Sequence, residues 1–393
     1  MSNVKVVIGA NFGDEGKGLM TDYFCYQSLL KNESCIVVLS NGGAQRGHTV
    51  TTPDGIRHVF HHFGSGTFAG ADSYFCEQYI LNPMTFRKEY EELQKLGYTP
   101  KVYAHRNCMW STPYDMMINQ IIEDSRGDSR HGSCGMGIWE TIVRYDYCTL
   151  YPYKITAFNG FPFAKKKLYL QFLREVYYKC KLDVMKIKIS DEWDKILNSD
   201  VLIDNFIDDI QFMCDHITWM DDKFLNLYDN VVFENGQGLL LDQNNIKYGD
   251  NTTPSNTGIK NPHEIIRKAL PNANVEVCYV TRTYLTRHGA GRFDEECSKD
   301  IINASMEDCT NVPNPYQGAI RYGWLDVKDL LKRIKDDISS VDADYKVSLA
   351  ITHANEHYIM ITEYDDCDFI SHWYVSDNHT RNSVKFLEKA LDK

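Results

Sequence analysis

Val4-Lys5-Val6-Val7-Ile8-Gly9 runs through Ala10-Asn11-Phe12 into Gly13-Asp14-Glu15-Gly16-Lys17-Gly18, and this opening decides the fold class. Val4 to Ile8 is a short apolar, β-branched run closed by glycine. Such a run reads as a strand buried on both faces, as in a parallel sheet. The loop Gly9 to Gly18 follows, and then a helical stretch from about Lys17 to Leu30. Strand, glycine-rich loop and helix together aim backbone N–H groups at a phosphate, and Lys17 adds a point charge. The loop is not a Walker A loop. Asn11 stands at that motif's first glycine and Gly18 at its hydroxyl position, so the usual hydroxyl ligand for Mg²⁺ is missing. Asp14 is the natural replacement, or a base. The plain alternative is a tight strand-to-helix turn with no ligand.

Working outward, further strands are expected at Ile36–Leu39, Val231–Glu234, Val275–Thr281 and Lys346–Ile351. Helical periodicity appears at Pro83–Leu96, Phe163–Tyr178, His263–Leu270 and Val327–Ile338. Strands alternating with helices predict an α/β protein with a mainly parallel central sheet flanked by helices. The stretch from about 150 to 230 is rich in Lys, Tyr and Asp and carries no glycine-rich loop. It reads as a mostly helical subregion packed beside the sheet, within a single domain spanning 1–393. Its aromatics Tyr169, Phe172, Tyr177 and Tyr178 sit at near-helical spacing, which points to packing rather than to a ligand stack.

Composition narrows the function. The chain has 393 residues, 43% hydrophobic and 24% charged, which excludes a disordered chain. The net charge of −12 argues against nucleic acid or an anionic membrane as the main partner. No apolar run has the length of a membrane helix, and no secretion signal opens the chain, so a cytoplasmic location is expected. The twelve cysteines form no Cys-x-x-Cys pair. Structural zinc and disulfides are therefore not expected, and buried reduced thiols are.

A second motif, Asn41-Gly42-Gly43-Ala44-Gln45-Arg46-Gly47-His48-Thr49, follows the second strand. A histidine at a strand's C-terminal end sits where open α/β sheets bind ligands. Paired with a loop carboxylate, it becomes an acid/base or phosphoryl-stabilising group. In order and spacing the two motifs resemble adenylosuccinate synthetase, whose hallmarks are Gly-Asp-Glu-Gly-Lys-Gly and, about thirty residues on, Gly-His-Thr. The resemblance continues through Gly132-Ser133-Cys134-Gly135-Met136-Gly137-Ile138, Phe233-Glu234-Asn235-Gly236-Gln237-Gly238, Thr253-Pro254-Ser255-Asn256, Thr286-Arg287-His288-Gly289-Ala290-Gly291 and Gly323-Trp324-Leu325-Asp326. It spans Val4 to about Arg381.

The resemblance implies a P-loop-like, GTPase-related fold with helical insertions, and a ligase that joins L-aspartate to C6 of IMP. A nucleoside triphosphate first phosphorylates O6, and the aspartate amine then displaces phosphate. It implies Asp14 as base, His48 and Lys17 at the phosphoryl group in transit, and Mg²⁺ held by Asp14 and the Gly47 carbonyl. Gly13, Glu15, Gly16, Gly18, Gly47, Thr49, His353 and Asn355 would contact the donor nucleotide. Gln45, Ser133, Cys134, Gln237, Thr253 and Arg321 would contact substrates. Arg144 would correspond to an arginine that crosses a homodimer interface to the acceptor's phosphate.

This chain departs from the family pattern at four places. Gln45-Arg46 replaces Asn-Ala, which lengthens an amide and adds a charge. Cys134 and Met136 replace a threonine and an arginine. The segment 311–321 lacks the family's aspartate loop, leaving Arg321 as the one nearby arginine. Asn355 replaces the aspartate that reads guanine in the donor, which points toward ATP rather than GTP. A virus-associated group of the family uses ATP and acts on dGMP, often without the loop aspartate. Asp14 therefore favours IMP, while Asn355 and the 311–321 segment favour dGMP. A third possibility is an inactive nucleotide sensor. Retention of Asp14, Lys17, His48 and Gln237 together argues against it.

Overall fold

In the computed structural model the described residues are 2–147, 153–306, 311, 318–357 and 367–388. The ten strands of the central sheet are, in chain order, β1 (Asn3–Gly9), β2 (Cys35–Leu39), β3 (Asp72–Phe75), β4 (Val102–His105), β5 (Ile217–Met220), β6 (Asn230–Gly238), β7 (Asn274–Arg282), β8 (Lys346–Thr352), β9 (Ile370–Ser376) and β10 (Val384–Glu388). Across the sheet they lie in the order β10-β9-β8-β7-β1-β6-β2-β3-β4-β5. Every pairing is parallel except β9 with β10. A mainly parallel sheet flanked by helices is thus what the chain forms.

Alternation along the strands divides the apolar side chains between two cores. Val4, Val6 and Ile8 of β1 enter one, with Ile36, Val38, Val277 and Leu349. Val7 enters the other, with Val37, Leu39 and Val280. Each such side chain, fully buried, contributes about 1.5–3 kcal/mol relative to exposure.

The first helix, α1, spans Lys17–Leu30, and its N-cap is Gly16 at φ 90° with no side-chain cap. Its first-turn N–H groups are left for an anion. A methyl group on Gly16 would stand 3.1 Å from Thr352 Cγ2, so the left-handed turn and the close approach both require glycine. The helix α2 (Pro83–Lys95) is capped by Asn82. The helix α3 (Pro113–Ser125) is closed by a Thr112/Asp115 capping box. The helix α4 (Ile138–Tyr147) follows the Gly132–Gly137 loop. Helices at Lys260–Ala269 and Val327–Ile338 cover the sheet where periodicity placed them.

The middle stretch is mostly helical, with two differences from the sequence reading. Ile217–Met220 leaves the helices and pairs with β4 as the sheet's edge. The expected helix Phe163–Tyr178 is α-helical only to Phe172, and Leu173–Tyr178 forms a π-turn. The wider turn brings residues five apart onto one face, so both Leu173 and Tyr178 are buried. Tyr169 and Tyr178 are core residues, while Phe172 and Tyr177 pack against that core. The ten cysteines among the described residues are free. Among the described residues no helix is long and apolar enough to cross a membrane. Cys148 and Cys309, and most of the 311–321 segment, lie outside the described residues.

Candidate active site

Loops at the C-terminal ends of β1, β2, β6, β7 and β8 open into one cleft of about 1860 Å³. Parallel strands end there together, which lets residues far apart in sequence meet. The loop after β1 is braced from inside. Glu15 Oε1 accepts from the backbone N–H groups of Gly13 (2.6 Å) and Asn11 (3.2 Å). Lys17 Nζ donates to the Gly13 carbonyl at 2.7 Å and lies 3.5 Å from Glu15 Oε2. Burial pushes the Glu15 carboxyl up, against the pull of Lys17. Glu15, expected at the nucleotide, is turned into the loop and does not line the cleft. Gly13, Asp14, Gly16, Lys17 and Gly18 do line it.

Asp14 meets a partner that the sequence reading did not single out. Arg282, the last residue of β7, donates from Nη2 to Asp14 Oδ2 at 2.6 Å and from Nε to the Asp14 carbonyl. Asn311 Nδ2 donates to the same carboxylate oxygen at 3.1 Å, and His288 Nε2 lies 3.9 Å from it. Burial alone would raise the carboxyl, but Arg282, with His288 and His353, holds it down at about 2. The available signal was positional, since Arg282 is a cation at the C-terminal end of a core parallel strand.

On the other wall, His48 begins a hairpin strand (His48–Thr51 with Arg57–Phe60). Its Nδ1 lies 2.7 Å from Glu234 Oε1 on β6. Glu234 Oε2 also accepts from Arg46 Nη1 (3.3 Å) and the Ser65 backbone N–H (3.1 Å), and Ser65 Oγ donates to Oε1. Burial would raise Glu234, yet Arg46 and His48 hold it at about 2. Burial pushes the His48 imidazole down to about 4 despite the Glu234 carboxylate, because Arg46 answers the same negative charge. An ionised carboxylate only accepts, so neutral His48 carries its proton on Nδ1 and presents Nε2 as an acceptor. Arg46, a departure from the family pattern, is buried and spans Glu234 and the carbonyls of His61 and Phe63.

Gln45, Gly47, Thr49, Ser133, Cys134, Gln237, Thr253, His353 and Asn355 also line the cleft. Gln45 Nε2 and Oε1 and Gln237 Oε1 are buried with no partner. Ser133 Oγ donates to Asn119 Oδ1 at 2.8 Å. His353 has φ 58°, the left-handed region, immediately after β8. Thr352 Oγ1 ties that turn to the phosphate loop by donating to the Glu15 carbonyl at 2.8 Å.

Two further arginines expected at substrates have partners within this chain. Arg144 is buried on α4, where its guanidinium donates to Asp115 Oδ1 and Oδ2 and to the Trp110 carbonyl and lies over the Trp110 ring. A guanidinium so held ties α4 to α3 through Asp115. Arg321 pairs with Glu296 (Nε–Oε1 2.7 Å) and donates to the Gly291 carbonyl at 2.9 Å, so it secures the Gly289–Gly291 turn and does not line the cleft.

The chain is similar to known proteins along most of its length. The family model described as adenylosuccinate synthetase matches residues 6–343. An adenylosuccinate synthetase of Chlorobium limicola is 26% identical, over 98% of this chain and 85% of its own. Among solved structures, a fully ligated adenylosuccinate synthetase from Plasmodium falciparum superposes with TM-score 0.63 at 20% identity, covering 100% of this chain and 84% of that one. The succinoaminodeoxyadenylate synthetase of cyanophage S-2L, bound to dGMP and dATP, superposes with TM-score 0.65 at 12% identity, covering 98% and 96%. Those two likenesses show a shared fold. A family match across most of the chain, on a cleft that gathers the glycine-rich loop, Asp14, Lys17 and His48, means that this chain belongs to the adenylosuccinate synthetase family of carbon–nitrogen ligases.

Proposed function

We propose that the chain joins L-aspartate to C6 of a 6-oxopurine nucleoside monophosphate, using a nucleoside triphosphate. In the first step the γ-phosphoryl bond breaks, an O6–phosphorus bond forms and the N1 proton leaves. In the second step the aspartate amine attacks C6, inorganic phosphate departs and the amine loses a proton. The observation that carries the reading is the convergence of Asp14 and Lys17 from the first loop, His48 from the second and Gln237 from β6 on one cleft. Phosphoryl transfer is driven chiefly by positioning and charge neutralisation, and these residues supply both.

Asp14 takes the N1 proton once Arg282 releases one carboxylate oxygen. Lys17 and the first turn of α1 hold the donor's phosphates. His48, neutral and oriented by Glu234, stands beside the phosphoryl group in transit. Asp14, held ionised, and the Gly47 carbonyl are hard oxygen donors of the kind Mg²⁺ takes together with substrate phosphates. Bound there, the ion would neutralise charge on the phosphates.

Retained Asp14 supports IMP as acceptor. A second reading, dGMP with ATP, is supported by Asn355 in place of a carboxylate and by the dGMP-bound cyanophage enzyme that shares the fold. The test crosses IMP or dGMP with GTP or ATP, in Mg²⁺ and L-aspartate, following phosphate release and adduct mass. One combination turns over, and Asp14→Asn lowers its rate roughly a hundredfold to ten-thousandfold while the melting profile is kept. No adduct in any combination with nucleotide binding intact, or a near-normal rate in Asp14→Asn, would sink the reading.

A further inference from the structure

Among the polar atoms in the cleft wall that are buried without partners are Gln45 Nε2, Gln45 Oε1 and Gln237 Oε1. The two amides converge. A methyl group on Gly42 would stand 2.9 Å from Gln45 Nε2 and 3.3 Å from Gln237 Oε1, and Gly42 itself, at φ 71°, keeps that space open. Buried amide groups in folded proteins nearly always have partners, and leaving one unmade is costly. A ligand that fills this corner must therefore bring the matching groups. Both ends of the Gln45 amide are unpaired, so it offers one NH₂ donor group and one acceptor oxygen whichever way it is turned. With Gln237 Oε1, the corner offers two acceptor oxygens and one NH₂ donor group.

Hypoxanthine carries a single N–H on its pairing edge, N1–H, and the proposed reaction gives that proton to Asp14. It has no donor left for the two oxygens. Guanine adds an amino group at C2 whose two hydrogens match the two amide oxygens. Its ring N3, beside that amino group, can accept from Gln45 Nε2. We infer that Gln45 is a specificity-determining residue that selects a guanine nucleotide over IMP as the aspartate acceptor, an inference that rests on the ligase reading above. The longer amide at position 45 is what lets it reach a group that IMP lacks.

Calorimetric titration of dGMP, GMP and IMP into the full chain and into Gln45→Leu tests this, alongside adduct formation with each acceptor. The wild-type protein binds a guanine nucleotide at least about tenfold more tightly than IMP. In Gln45→Leu that ratio falls about tenfold or more, the loss of one or two hydrogen bonds. Gln45→Asn, which keeps the amide but withdraws it by one methylene, falls between, and it carries the test if the leucine variant does not fold. A wild-type preference for IMP, or a ratio unmoved by substitution, overturns the inference. A ratio that shifts while no acceptor forms an adduct overturns the ligase reading and leaves the role of Gln45 standing. An adduct with an unmoved ratio does the reverse.

Discussion

At the scale of single residues, the cleft is organised by ion pairs on its two walls. Arg282 holds Asp14 ionised, and Arg46 with Ser65 holds Glu234 ionised beneath His48. Residue type also bears on the proposed donor. Asn355 offers a donor and an acceptor where a carboxylate would accept twice from guanine. Asn355→Asp is expected to raise the GTP-over-ATP ratio of kcat/KM about tenfold or more, the worth of a charge-assisted pair. Initial rates with each donor measure it, and an unchanged ratio would mean that the donor base is read elsewhere. Asp14, Lys17 and His48 were legible because each sits within a glycine-rich motif. Arg282 and Glu234 were not, since their contacts with Asp14 and His48 bridge 268 and 186 residues of chain.

At the scale of elements, α1 shows how a helix start is left uncapped at the proposed phosphate site. Gly16 takes a backbone conformation open to few other residues, and no side chain covers the helix start. The boundaries Lys17–Leu30 and Val327–Ile338 could be read from the sequence because apolar period and turn residues coincide there. The strands that were not read, β3, β4, β5, β9 and β10, lie toward the two edges of the sheet. Their identity is fixed by pairing partners, as Ile217–Met220 is by Val102–His105. On α4, Arg144 joins that helix to the start of α3 through Asp115 and to the Trp110 carbonyl. Arg144→Ala leaves a buried Asp115 without its cation. It is expected to destabilise the protein by about 3–5 kcal/mol in urea unfolding. A normal unfolding midpoint with a raised KM for the purine monophosphate would instead return Arg144 to the substrate.

For the whole molecule, the buried ionisable groups pull in opposite directions with pH. Burial raises Asp22 to about 6, against Arg381, and raises Asp337 to about 6, against Tyr279 and the Ile259 N–H. Their folded forms hold protons more tightly than the unfolded chain, so their stabilisation is full below the ordinary carboxyl value and is lost as pH rises through about 6. His48, pushed down to about 4, works the other way, and its contribution is lost as pH falls from 6.5 toward 4. Glu234, held at about 2, loses its contribution as pH falls below its ordinary value of 4.5. Two groups gain and one loses between pH 6 and 4.5, and the net charge of −12 relaxes toward the pI of about 5.5. Urea midpoints are therefore expected to be higher near pH 5 than at pH 8 and to fall steeply below pH 4. A maximum at pH 8 would contradict the assignment of Asp22 and Asp337.

The sequence alone determined the α/β class, the phosphate loop with its helix, and the family, because local backbone preference and contiguous motifs carry those. Only the tertiary structure decided which side chains meet. It paired Asp14 with Arg282, set His48 neutral over Glu234, paired Arg144 with Asp115 and Arg321 with Glu296, and left Gln45 and Gln237 facing the cleft unpartnered. Those outcomes depend on distance and burial between strands remote in sequence. Charge state and hydrogen-bond satisfaction are properties of that surrounding, which no residue carries by itself.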